Sequence, residues 1–283
     1  MRLMLGVPAL AALFGLTGCW QAAVGHAAYN RATGQPTMLE RVNKSLNGAD
    51  DDDYPPNRDP VSGCEGPAAG QREARVQIIA FELGPAATNA YLLLPPGRDE
   101  AVLIDAPPGA AAAITPHLEG RRLAAVLLTH GHWDHMGGAA DLRAAGATIY
   151  AHAADRAWIE DPSVQGAFMG MDLRIKPVVV DQLVTPGQAF DLAGLRVEVR
   201  HVPGHAPGNV LFYFPALGTA FPGDAIMSGT VGRTDLPEGD FEQLETSIRE
   251  QIYTLPGETV LCPGHGPATT VAEERATNPY VHG

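Results

Sequence analysis

The chain of 283 residues is 45% hydrophobic and 18% charged, with 32 Gly and 24 Pro. Such a balance excludes a coiled coil or a disordered chain and describes a loop-rich globular protein with material for one large core or two small ones. The formal net charge is −13 and Arg121-Arg122 is its one cationic cluster, so a polyanion is repelled on average and no nucleic-acid partner is expected.

At the N-terminus, Arg2 supplies a short positive start and residues 3–16 are almost wholly apolar. That run has the length of a signal h-region and is too short for a comfortable membrane span. It closes on Leu16-Thr17-Gly18-Cys19, which is similar to the lipobox of bacterial lipoproteins. Residues 1–18 are therefore expected to be a signal peptide, and a lipidated Cys19 the only membrane attachment. An uncleaved anchor or a plain secretory signal is the other reading. Trp20 stands where an Asp would favour inner-membrane retention. The expected location is accordingly the cell envelope, as a periplasm-facing lipoprotein on the outer membrane.

Residues 19–72 read as a flexible linker. Asp50-Asp51-Asp52-Asp53 is a run of like charges that bury nothing, and Tyr54-Pro55-Pro56 opens a Pro/Gly-rich stretch that reaches Gly70. A calcium loop would need spaced ligands and a Gly that the run lacks. Residues 38–46 have room for one short helix. Cys64 and Cys262 either pair as a disulfide or stay two thiols, with Cys262 a small hydrophobe on a strand; the second is preferred, because spacing says nothing of distance.

From residue 73 to 283 the texture is that of a single catalytic domain. Strands are expected at residues 76–81, 90–94, 101–104, 123–128 and 148–151, and later at 195–201, 210–214, 219–221 and 259–262. Helices are expected at 109–118, 137–145 and 241–253, the last with Phe241, Leu244, Ile248 and Ile252 on its apolar face. Alternating strands and helices point to an α/β or α+β class, and the apolar strands to sheets covered on both faces.

The chemistry is concentrated in Thr129-His130-Gly131-His132-Trp133-Asp134-His135, directly after the strand 123–128. Only 10 residues of the chain are His, yet three of them sit within six positions beside an Asp, a poor match to chance. Imidazole and carboxylate suit zinc, iron and manganese. Two apart on an extended loop, His130 and His132 point the same way and can grip one ion. Asp134 and His135 begin the next turn and reach a second, about 3.5–4 Å away in paired-metal hydrolases. The glycines of the loop and of Gly137-Gly138 let the backbone pass close by. Three further turns, Pro203-Gly204-His205, Pro222-Gly223-Asp224 and Pro263-Gly264-His265, each place a ligand type straight after Pro-Gly near a strand end.

This series of motifs resembles the metallo-β-lactamase superfamily across residues 75–280. The resemblance implies an α+β fold, a four-layer αββα sandwich. It implies that His130, His132 and His205 bind a first metal, Asp134, His135 and His265 a second, and that Asp224 bridges them. The cofactors would be two divalent ions, zinc first, with iron or manganese as alternatives. A metal-bridged hydroxide would attack a thioester, ester or lactone carbonyl of a small-molecule substrate, with Asp134 as the catalytic residue that orients it. Asp224 is absent from the true β-lactamases of the fold, so the resemblance leans to short glyoxalase II-like hydrolases, as do residues 231–236 and 277–280. Full-length glyoxalase II adds a helical domain for glutathione, whereas here a short tail follows His265. A Gly-Arg-Thr-Asp stretch also occurs in the mononuclear iron persulfide dioxygenases, the alternative function. A non-enzymatic metal-binding lipoprotein is a further alternative. Arg233 either clamps a substrate carboxylate or pairs with Asp235. His152 and His201 are read as structural, and His26, His117 and His282 carry no assignment. The sequence bears no signal for oligomeric state.

Overall fold

The computed structural model describes residues 75–169 and 173–283. The signal, lipobox, linker and Cys64 expectations lie outside the described residues. Among the described residues no helix is long and apolar enough to cross a membrane.

Two six-stranded sheets make the centre. The first runs β1 (Gln77–Leu83), β2 (Thr88–Leu94), β3 (Glu100–Ile104), β4 (Arg122–Leu127), β5 (Thr148–His152) and β6 (Gln182–Val184), each beside the next. β1 to β3 are antiparallel, and β3 to β6 are parallel. Parallel neighbours need a crossover, and helices supply it: α1 (Ala110–Ile114) after β3; α2 (Trp133–Met136) and α3 (Ala139–Ala144) after β4; α4 (Arg156–Glu160) and α5 (Ser163–Met169) after β5.

The second sheet comprises β7 (Ala189–Leu192), β8 (Leu195–His201), β9 (Val210–Phe214), β10 (Thr219–Gly223), β13 (Val260–Pro263) and β14 (Thr269–Thr270), in the order β14-β13-β10-β9-β8-β7. A small hairpin, β11 (Ile226–Met227) and β12 (Thr230–Val231), follows β10. Two helices, α6 (Phe241–Ser247) and α7 (Val271–Thr277), complete the chain.

The period of two in the strands creates the layers. On β2, Tyr91 and Leu93 face the second sheet, while Leu92 and Leu94 face the helices. The inter-sheet layer interleaves Ile78, Val102, Ile104 and Leu127 with Val197, Val199, Phe212 and Phe221. One outer layer packs Leu103, Val126 and Ile149 on Ile114, Met136 and Leu142. The other packs Leu211, Ala220 and Leu261 on Leu244, Ile248 and Ile252. This is the expected four-layer αββα sandwich. Each fully enclosed Leu or Phe contributes about 1.5–3 kcal/mol of burial, which is why both faces of β2 are apolar.

Three expectations change in detail. Helix 109–118 divides into α1 and a 3-10 turn, Thr115–His117, because Pro116 has no N–H to continue the ladder. Helix 137–145 shortens to α3, after the two glycines. Helix 241–253 is α6 followed by a π-helical turn, Ile248–Ile252, and Phe241 is 40% exposed instead of buried. Leu244, Ile248 and Ile252 are spaced by four. In a strict α-helix that spacing drifts about 40° per step, and the wider π turn keeps them on the sheet.

Candidate metal centre

The candidate ligands converge because their strands end at one edge. β8, β10 and β13 run the same way, and the turns after them carry His205, Asp224 and His265. In the facing sheet the C-terminal end of β4 leads into His130 and His132. His132 has extended φ/ψ and caps α2, on which Asp134 and His135 lie. The bridge Thr88↔His265 ties the start of β2 to the same edge of the second sheet. A side chain at Gly264 would collide with Asp224 Oδ1 and sit 2.5 Å from His135 Cε1, so only Gly lets β13 approach.

All seven residues singled out in the sequence meet in one cluster, buried except for the partly exposed His265. His132 Nδ1 lies 2.9 Å from His205 Nε2, which lies 3.3 Å from His130 Nε2. Beside this trio, His265 Nε2 is 3.2 Å from Asp134 Oδ2 and 3.4 Å from His135 Nε2, and Asp134 Oδ2 is 3.5 Å from His135 Nε2. Asp224 stands between the groups. Its Oδ2 is 3.6 Å from His205 Nε2 and 3.3 Å from His265 Nε2, and its Oδ1 is 3.3 Å from His135 Nε2. A tetrahedral zinc with bonds of about 2.0–2.1 Å has its ligand atoms roughly 3.3 Å apart. The donor set and its spacings therefore fit one cation per trio. Asp224 Oδ1 is moreover a buried oxygen without a hydrogen bond, as a cation ligand would be.

A second ring of residues, not singled out in the sequence, aims these ligands. Asp105 follows β3 at φ +56, a left-handed conformation rare outside Gly. Its Oδ2 accepts from His135 Nδ1–H at 2.8 Å and from the Thr129 hydroxyl at 2.8 Å, and its Oδ1 accepts from Thr129 N–H at 2.7 Å. Thr129 Oγ1 is in turn 3.1 Å from His130 Nδ1. Thr88 donates its hydroxyl to Asp134 Oδ2 at 2.8 Å. His205 Nδ1–H donates to the Arg233 carbonyl at 2.8 Å. The available signal was a lone carboxylate closing the apolar run of β3.

Side-chain electrostatics divide the cluster in two. Burial lowers His132 to about 3, helped by His205, and burial and neighbouring imidazoles hold His130 low as well. Burial also lowers His205 against the pull of Asp224. These three are neutral imidazoles, the form that binds a metal. Burial pulls His265 down too, but Asp224 and Asp134 outweigh it and hold it up at about 10. His135 is raised likewise, burial being outweighed by Asp224, Asp134 and Asp105. Burial opposes ionisation of Asp134 and Asp224, yet His135 and His265 keep both well below the usual carboxylate range. Asp134 and Asp224 are thus balanced by protons on His135 and His265, and a cation bound among them would take the place of those protons.

The other singled-out residues fall elsewhere. The Arg233 guanidinium forms a two-pronged pair with Asp235, Nε to Oδ1 at 2.6 Å and Nη2 to Oδ2 at 2.7 Å. With Asp235 largely exposed, this pair adds little stability. His201 ends β8, donates Nε2–H to the Pro207 carbonyl at 2.8 Å and stacks on His152 at 4.3 Å. Cys262 is buried on β13 with no disulfide partner among the described residues, and burial pushes its thiol up into an inert range.

Two facing sheets, outer helices and a His/Asp cluster at the sheet edge define the metallo-hydrolase class. The chain belongs to the Metallo-beta-lactamase superfamily, whose family model matches residues 83–265. It is 35% identical to the probable metallo-hydrolase YqgX of Bacillus subtilis (strain 168), over 71% of this chain and 95% of that one. It is 34% identical to hydroxyacylglutathione hydrolase GloC of Haemophilus influenzae, over 64% of this chain and 87% of that one. Among solved structures, BLEG-1 B3 metallo-beta-lactamase is similar at a TM-score of 0.65 and 35% identity, covering 73% of this chain and all of that one. A di-iron-bound form of TTHA1623 is similar at 0.62 and 36%, covering 72% of this chain and all of that one.

Proposed function

We propose that the chain is a dinuclear metallohydrolase of thioester, ester or lactone bonds, akin to the hydroxyacylglutathione hydrolases. The observation that carries this reading is Asp224, whose carboxylate lies within 3.6 Å of ligand atoms in both trios. In it, His130, His132 and His205 would hold one divalent ion and Asp134, His135 and His265 a second, with Asp224 placed to serve both. Zinc suits the tetrahedral N/O spacing, and iron or manganese suits the same donors. A bound pair of dications lowers the pKa of a water and polarises a carbonyl oxygen. The protein's own part is preorganisation. Asp105 and Thr129 fix the rings of His135 and His130, and Thr88 fixes one oxygen of Asp134 so that the carboxylate can orient the attacking water.

The substrate reading rests on similarity to GloC and on the bridging Asp224; the similarity to BLEG-1 keeps β-lactams in the test panel. We further propose, from Leu16-Thr17-Gly18-Cys19, that a lipid on Cys19 holds the domain on the periplasmic face of the outer membrane. A small-molecule substrate of the cell envelope then replaces a cytosolic glutathione thioester. The metal-loaded protein is to be assayed on thioesters, lactones and β-lactams, beside His132→Ala and Asp224→Ala. Hydrolysis that both substitutions abolish supports the proposal. Hydrolysis that survives both overturns the site. No turnover on any of the panel favours a metal-binding lipoprotein.

A further inference from the structure

Four histidines of the cluster are fully enclosed: His130, His132, His135 and His205. In three of them the ring nitrogen turned away from the cluster has a partner, namely Thr129, Asp105 and the Arg233 carbonyl. His132 is the exception, for its Nε2 is buried without a hydrogen bond. Something else must hold this ring, because an imidazole with a free torsion does not present Nδ1 in one direction.

The connection between β5 and β6 does so. Gln165 of α5 donates Nε2–H to the Gly131 carbonyl at 2.8 Å, and its Oε1 accepts from Trp133 N–H at 2.8 Å. One side-chain amide thereby grips both peptide groups that flank the His132 Cα. Asp155 Oδ2 accepts from Gly131 N–H at 2.7 Å, and Asp155 Oδ1 accepts from Gly208 N–H at 2.6 Å, in the turn that follows His205. A single carboxylate thus ties the loop of His132 to the loop of His205. A Cβ at Gly131 would lie 2.8 Å from Asp155 Cβ, so the close approach needs Gly there. Trp158 of α4 completes the support, its ring lying nearly parallel to His132 at 10° and 5.6 Å between centroids. Asp155 and Gln165 are wholly buried. Burying such groups is costly unless each finds partners, and these find them on the backbone of the two ligand loops.

We propose that Asp155, Trp158 and Gln165 are positioning residues for the first metal position, setting the direction of His132 Nδ1 by gripping its backbone and its ring face. The proposal rests on the metal reading given above. Three residues between β5 and β6 then do for His132 what an N–H acceptor does for the other three histidines.

The test is competition of zinc against a chelator, with bound metal counted after dialysis, on the full chain and on Gln165→Met, Trp158→Leu and Trp158→Phe. Wild type is expected to hold two ions. Gln165→Met and Trp158→Leu are expected to weaken one of them by at least tenfold and the other less than twofold. Trp158→Phe, which keeps a flat face over His132, is expected to stay within about threefold of wild type. Adding Gln165→Met to His265→Ala should leave no tightly held ion, whereas His265→Ala alone keeps one. If wild type holds no ion, the metal reading itself fails. If wild type holds two and both Gln165→Met and Trp158→Leu hold them as tightly, the positioning role is overturned. Should Gln165→Met fail to fold, the contrast between Leu and Phe at 158 decides: equal losses overturn the role, and loss with Leu alone supports it.

Discussion

Asp105 Oδ2 receives the His135 Nδ1–H bond at 2.8 Å, on a backbone turned to φ +56. This pair links the end of β3 to α2 and sets the ring of one candidate ligand. Asp105→Ala leaves three buried donors without an acceptor, those of His135, Thr129 N–H and the Thr129 hydroxyl. The expected loss is roughly 3 kcal/mol or more of stability and about 10–100-fold in affinity for one metal ion. Asp105→Asn keeps an acceptor and tolerates the left-handed backbone, so it should lose less of both. Urea unfolding and zinc competition measure the two effects.

The inter-sheet core gives a prediction independent of chemistry. Phe221 is wholly buried, with its ring 5.1 Å from Tyr91 and 5.6 Å from Phe214. Phe221→Ala opens a cavity between the sheets and should cost about 3–5 kcal/mol in urea unfolding. A loss under about 1 kcal/mol would mean that this face is not packed as described.

Asp155 predicts a pH dependence of stability. Burial pushes its carboxyl up from 3.8 to about 6, against the Gly131 and Gly208 N–H bonds that favour the charge. The folded protein therefore holds this proton more tightly than the unfolded chain does. The group's contribution to stability is full below about pH 4 and is lost as pH rises through about 6, a change of roughly 3 kcal/mol. Asn does not titrate. In metal-stripped protein the stability of Asp155→Asn relative to wild type should therefore rise by about that amount between pH 4 and 7. A difference independent of pH contradicts the assignment.

The seven candidate ligands were legible in the sequence because each belongs to a short run, His130 to His135 or one of three Pro-Gly turns. Sheets covered on both faces were legible from apolar strands such as β2 and β4, while the four-layer sandwich followed only from the resemblance of the motifs to a known family. Asp105, Thr88, Asp155 and Gln165 were not, because each acts alone across the fold: Thr88 meets Asp134 and Asp155 meets Gly208 only once the sheets are stacked. α7 escaped notice since Val271-Ala272-Glu273-Glu274-Arg275-Ala276-Thr277 has little apolar period, and β6 since it has three residues, two of them exposed. The π turn after α6 shows the same limit, its shape being set by the sheet beneath Ile248 and Ile252.

Arg233 tests where substrate specificity lies. Its guanidinium already pairs with Asp235, so Arg233→Ala should change stability by less than about 1 kcal/mol and leave KM within about twofold. A KM raised tenfold or more with kcat unchanged would instead mark it as the clamp on a substrate carboxylate.

The central claim is a two-metal hydrolytic centre bridged by Asp224. Its most direct test is elemental analysis of the purified full chain, read beside oxygen uptake and thioester hydrolysis. The account predicts two divalent ions per chain, falling to one in Asp224→Ala with loss of hydrolysis and no oxygen uptake in either protein. One iron per chain with oxygen consumed on a persulfide would contradict it and make the protein a dioxygenase.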